Sequence, residues 1–114
     1  MKIINAGVTG PKGFFASGIS CGIKRSGKKD LALIYSSKPA SAVGVFTNNK
    51  IVAAPIKVNQ ENLKDHKGRA IIINSGNANC FTGKQGFKNA VLITKVLAKN
   101  LQISSKDVLV ASTG

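Results

Sequence analysis

The sequence predicts an α/β fold, and three observations carry that reading. Its core has to be aliphatic, because 43% of the residues are hydrophobic while the aromatics are only five Phe, one Tyr and no Trp. That suits packed helix and sheet layers better than an aromatic-rich β-sandwich. Leu31–Tyr35 and Ala70–Ile73 are near-continuous apolar runs, as in strands covered on both faces. Phe87–Leu101 has a helical period and is apolar around most of its circumference, as in a helix buried on more than one side.

The elements follow along the chain. Phe15, Ser17, Ile19, Cys21 and Ile23 alternate on one face of a first strand. Lys24–Asp30 reads as a hairpin turn with Ser26-Gly27 at its tip, leading into the strand Leu31–Tyr35. Ala42–Phe46 reads as a further strand, and Pro55–Val58 as another that opens on its proline. Glu61–Lys67 is polar. Ala70–Ile73 then runs directly into NSGNAN. Thr82 and Gln85 have capping-box spacing for the helix that follows. On that helix Phe87, Ala90, Val91, Leu97, Ala98 and Leu101 form one apolar face. Leu92, Ile93 and Val96 form a second, and Lys84, Lys88, Lys95 and Lys99 run between them. A last strand, Val108–Ala111, ends on Ser112-Thr113-Gly114. A strand entering such a turn is expected to continue, so the C-terminus reads as a break in a longer protein.

The chain's 114 residues suit one domain, which at that size buries roughly two-thirds of its unfolded surface. Seventeen Lys and Arg oppose four Asp and Glu, for a net charge of +13. Three explanations stay open: an anionic partner such as nucleic acid, a Lys-rich proteome, or acidic residues on a partner segment. Cys21 and Cys80 have no C-x-x-C or zinc spacing and read as free thiols of a reducing compartment. MKIINAG lacks the apolar stretch of a signal peptide. No apolar run approaches the ~20 residues that cross a bilayer. The expectation is a cytoplasmic protein with no membrane partner.

Several functional motifs fail on their chemistry. Lys12-Gly13-Phe14-Phe15 matches the opening of an RNA-recognition signature, but Ala16, Ser17 and Gly18 then replace its apolar and aromatic positions. The Lys stripe reads as a solvated edge, so no nucleic-acid partner is expected. Gly83-Lys84-Gln85 lies at the wrong distance from Gly76 for a phosphate loop and puts Gln85 where Ser or Thr must hold magnesium. His66 has no companion ligands, and no metal site is expected. NSGNAN is different. It places Asn74, Gly76, Asn77 and Asn79 between a buried strand and a helix N-terminus, where amides and positive φ can build a cleft. It is either such a cleft or an ordinary connection.

Four blocks in order, GVTGPKGF, SGIKRSGKKDLALIYSSKPASAVGVFT, NSGNAN with TGKQG, and VLVASTG, resemble the bifunctional ornithine acetyltransferase/glutamate N-acetyltransferase family of arginine biosynthesis. Gly10 stands where that family usually has Ala, and Cys80-Phe81 where it usually has Ala-Cys. The resemblance implies a layered sandwich with β-sheets packed between helices, of the self-cleaving, N-terminal-nucleophile type. It implies that residues 1–114 are the N-terminal part of an α chain. A β chain from the same precursor would begin with the nucleophilic threonine, in an α2β2 assembly. An N-terminal threonine carries its own base, an α-amino group with a pKa of ~7.7–8.0.

On this resemblance the substrates are N-acetylornithine and glutamate, the acetyl group passes through an acetyl-threonine, and no cofactor is bound. Acetyl-CoA is a candidate acetyl donor. Thr113 and Gly114 match the family's oxyanion pair, and the loop Asn74, Gly76, Asn77 and Asn79 is expected to flank the site. No A-T-M-L segment precedes Gly114, so the chain alone is expected to be catalytically silent. Two other readings compete. A basic RNA-binding protein would show salt-dependent RNA binding, and a self-cleaving aminopeptidase would lack acetyl transfer.

Overall fold

The computed structural model describes residues 5–114. Four strands form one sheet in chain order: β1 (Phe14–Ile19), β2 (Leu31–Ser41), β3 (Lys67–Ser75) and β4 (Val108–Thr113). The pairs β1–β2 and β2–β3 are antiparallel, and β3–β4 is parallel. A parallel pair needs a crossover, which α2 (Gly83–Leu101) supplies, whereas α1 (Ala54–Asn62) connects β2 to β3. Part of the MKIINAG reading lies outside the described residues.

Register sorts the side chains onto two faces. Leu33, Tyr35, Ala70, Ile72, Val108 and Val110 share one face and meet Ala54, Val58, Ala90 and Ala98 of the two helices. Ala90 is 0% and Ala98 4% exposed, and such small residues let α2 lie close to the sheet. The opposite face carries Ala32, Ile34, Ile71, Ile73, Leu109 and Ala111. Its residues are apolar but only partly buried, and the helices pack on the other side. The α/β class expected from the sequence is present, as one sheet with helices on one face.

Three elements differ from expectation. Pro55–Val58 is helical, not extended, and belongs to α1. Pro55 falls in the first turn, where a missing N–H costs no helical hydrogen bond. Ala42–Phe46 is not a paired strand. β2 runs to Ser41, the Ala42 N–H donates to the His66 carbonyl at 2.8 Å, and beyond it Val43 and Val45 are 87% and 100% exposed. β1 stops at Ile19, because Asp30 gathers the next residues into a turn. Its carboxylate accepts the Cys21 N–H at 2.7 Å and the Lys24 N–H at 2.8 Å. The capping box does not form either. Thr82 is not extended (φ −97°, ψ 4°), its hydroxyl donates to Asn79, and Gln85 binds Asn89.

The outer edge of β4 is covered in an unusual way. The Asn59 side chain donates to the Val110 carbonyl at 2.8 Å and accepts the Val110 N–H at 2.9 Å. Asn62 donates to the Val108 carbonyl at 2.8 Å. Two amides on α1 thus fill the place of a fifth strand, satisfying backbone groups that an open edge would expose.

Candidate functional site

All six candidate residues lie at one end of the sheet, where β3 and β4 finish side by side. Thr113 is the last residue of β4 and pairs with Ser75 of β3. Both Thr113 and Gly114 are exposed. Successive residues of a strand point their backbone groups to opposite edges. Val108 and Val110 point outward, to Asn62 and Asn59. Thr113 therefore points inward, and its carbonyl accepts the N–H groups of Gly76 at 3.0 Å and Asn77 at 3.1 Å.

That double anchor fixes more than Thr113. In a trans peptide the C=O and N–H point in opposite directions. With the Thr113 carbonyl held against the NSGNAN loop, the Gly114 N–H is directed to the outer side of β4, the side on which Asn59 sits. Register places the Thr113 side chain with Ser75 on the sheet face free of helices. The Thr113 side chain lies on the open face and the Gly114 N–H points to the outer edge, so both border the same corner of the sheet. Among the described residues neither has an intramolecular acceptor. Two neutral donors so placed can stabilise negative charge forming on an oxygen.

The NSGNAN loop is knitted to its surroundings. Asn74 Oδ1 accepts a hydrogen bond from the Ser112 hydroxyl at 2.6 Å, and its Nδ2 donates to the Asn77 carbonyl at 2.8 Å. The Asn77 side chain accepts the Asn79 N–H at 2.9 Å. Asn79 donates to the Gly86 carbonyl at 3.0 Å, which clips the loop to the first turn of α2. Gly76 adopts φ +100°, and a Cβ there would lie 2.9 Å from Ile23 Cγ2. Both facts call for glycine.

The sheet separates the two halves of the candidate set. Asn74, Asn77 and Asn79 line a groove of about 870 Å³ on the helix side, whose apolar walls include Leu92, Ile93 and Val96. The Thr113 hydroxyl faces the opposite side. Hence the loop amides hold their surroundings in place on the helix side, and the groove lies across the sheet from the Thr113 side chain. Sequence reasoning missed Ser112 and the main chain of Gly76. Their roles depend on the parallel pairing of β3 with β4, which no local pattern encodes.

Charge lies mostly elsewhere. Lys84, Lys88, Lys95 and Lys99 are exposed on α2, and Glu61 pairs with Lys64 at 2.6 Å. Hydrogen bonds from the Cys21 and Lys24 N–H groups lower the pKa of Asp30 from its ordinary 3.8 to about 2. Among the described residues, no cluster of three or more His, Cys, Asp or Glu could hold a metal ion. His66 is an exposed residue with φ 57° at the end of a 3₁₀ turn, and Cys21 and Cys80 are exposed free thiols. No helix among the described residues is long and apolar enough to cross a membrane.

The chain is similar to proteins of one kind. Residues 15–114 match the ArgJ family. The arginine biosynthesis bifunctional protein ArgJ of Caldanaerobacter subterraneus subsp. tengcongensis is 51% identical over 114 residues, covering 100% of this chain and 28% of that protein. The glutamate N-acetyltransferase of Methanocaldococcus jannaschii is 46% identical over 115 residues, covering 100% of this chain and 27% of its own length. The chain thus spans little more than a quarter of the curated relatives it matches. The crystal structure of ArgJ from Bacillus halodurans superposes with a TM-score of 0.91 at 45% identity, over 96% of this chain and 57% of that one. Ornithine acetyltransferase from Mycobacterium tuberculosis, solved in complex with ornithine, gives 0.91 at 42% identity, over 95% and 59%.

Proposed function

This chain belongs to the ArgJ family, and on that premise we propose that it is part of an acetyltransferase moving an acetyl group from N-acetylornithine to glutamate. Thr113 and Gly114 supply its oxyanion donors. The observation that carries this reading is the anchored Thr113 carbonyl, which turns the Gly114 N–H toward the corner that the Thr113 side chain borders by register.

The chemistry follows from that geometry. A threonine on the β chain, at the N-terminus created by self-cleavage, attacks the acetyl carbonyl of N-acetylornithine. As the C–O bond forms, the carbonyl oxygen takes up negative charge and accepts from Thr113 and Gly114. The threonine's α-amino group takes up the hydroxyl proton during attack; collapse then breaks the C–N bond, the amine of ornithine leaves with that proton, and an acetyl-threonine remains. The amine of glutamate attacks that ester beside the same donors, the ester C–O bond breaks, the amine's proton passes through the α-amino group to the threonine oxygen, and N-acetylglutamate leaves. Each donor is worth ~10²–10³ in rate, or about 2.7–4 kcal/mol, because it acts on charge present only in the transition state.

The open sheet face supports the same arrangement. Its apolar residues suit a second sheet stacked at ~10 Å, supplied by the rest of the α chain or by the β chain of an α2β2 enzyme. The nucleophile would then enter between the layers, on the face that carries Thr113. Acetyl-CoA is a second acetyl donor to assay. The deciding experiment measures release of ornithine and formation of N-acetylglutamate by the full-length cytoplasmic enzyme and its Thr113→Ala variant.

A further inference from the structure

We propose that Asn74 is a positioning residue that sets the direction of the Gly114 N–H by tying Ser112 to the Asn77 peptide. This rests on the reading of Thr113 and Gly114 as oxyanion donors.

The Asn74 amide uses both of its ends. Oδ1 accepts from the Ser112 hydroxyl at 2.6 Å, and Nδ2 donates to the Asn77 carbonyl at 2.8 Å. Ser112 directly precedes Thr113 in β4. The Asn77 N–H is one of the two donors on the Thr113 carbonyl. Asn74 therefore grips the Thr113–Gly114 peptide from both sides, through the strand that delivers it and through the loop that anchors it. Gly114 has no side chain of its own to fix its orientation, so the direction of its N–H depends on that grip. Backbone turning that moves the donor ~1 Å from the oxyanion position can cost ~10²-fold in rate.

The chemistry of this link is specific to an amide. Asp at this position would keep an acceptor for Ser112 but would present a second acceptor to the Asn77 carbonyl. Leu has a similar shape and supplies neither bond. The order of function should be Asn, then Asp, then Leu, which packing alone would not produce.

The test uses steady-state kinetics of the full-length enzyme with N-acetylornithine and glutamate, for Asn74→Leu, Asn74→Asp, Ser112→Ala and Thr113→Ala. The expected result is a fall in kcat of about 10-fold or more for Asn74→Leu, a smaller fall for Asn74→Asp, and a KM for N-acetylornithine within about threefold of wild type. If Asn74→Leu does not fold, Ser112→Ala decides, since it removes one hydroxyl. A kcat at least threefold below wild type supports the proposal, and an unchanged kcat overturns it. A kcat within twofold for every Asn74 and Ser112 variant, beside a ~100-fold loss for Thr113→Ala, overturns the positioning role and leaves the oxyanion reading standing. If Thr113→Ala is also within twofold, the oxyanion reading fails, and this inference with it.

Discussion

The Gly76 N–H donates to the carbonyl of Thr113 at 3.0 Å, so the turn that leaves β3 holds the last residue of β4. Gly76 does this at φ +100°, where a Cβ would lie 2.9 Å from Ile23 Cγ2. Gly76→Ala should lower stability by about 1–3 kcal/mol, from a strained φ and a methyl driven against Ile23. It should also lower kcat, because the anchor moves. Urea unfolding and turnover of the full-length enzyme check both, and a variant with wild-type values would show that the turn tolerates a side chain.

Asn59 should matter to folding rather than to turnover. Its amide makes two hydrogen bonds to Val110. Asn59→Ala strips both from a covered backbone and should cost about 2–3 kcal/mol. In Asn59→Asp the Val110 N–H keeps its acceptor and the Val110 carbonyl loses its donor, so an intermediate loss is expected. Chemical denaturation of the three proteins gives the order, and equal stabilities would mean that β4 does not need the edge closed.

Asp30 makes acid stability a local question. The N–H groups of Cys21 and Lys24 hold its carboxyl at about 2, below its ordinary 3.8. Because the folded value is the lower one, its contribution to stability is complete above the unfolded pKa and is lost as pH falls from 3.8 toward 2. Asp30→Asn should be less stable than wild type at neutral pH, since Asn offers one acceptor where two N–H groups converge. The gap should close as the acid limb is descended. Unfolding midpoints for both proteins across that range test it, and a gap independent of pH would contradict it.

How far the sequence foretold this structure varied with the kind of signal. α2 was legible because its apolar residues keep a helical period over a long run, and β3 and β4 because each has an unbroken apolar core, Ala70–Ile73 and Val108–Ala111. α1 was not. Its helical spacing of Ala54 and Val58 is blurred by Asn59 and Asn62, polar residues turned toward β4, and Pro55 suits a strand start as well as a helix start. Ala42–Phe46 has the apolar content of a strand, but pairing is a property of two segments, and no other described segment pairs with it. Thr113 and Gly114 were visible only through a family resemblance. Ser-Thr-Gly by itself describes a turn, and what distinguishes it here is the loop that happens to finish beside it. The Asn-rich loop was legible as a candidate, yet its amides hold backbone instead of opening onto the Thr113 corner.

The central claim is that Thr113 donates to an oxygen that becomes charged only during acetyl transfer. The most direct measurement is kcat and KM for the Thr113→Ala variant of the full-length enzyme, with N-acetylornithine as donor and glutamate as acceptor. The account predicts a kcat lower by about 10² or more with a KM that changes far less. A kcat within twofold of wild type would contradict it.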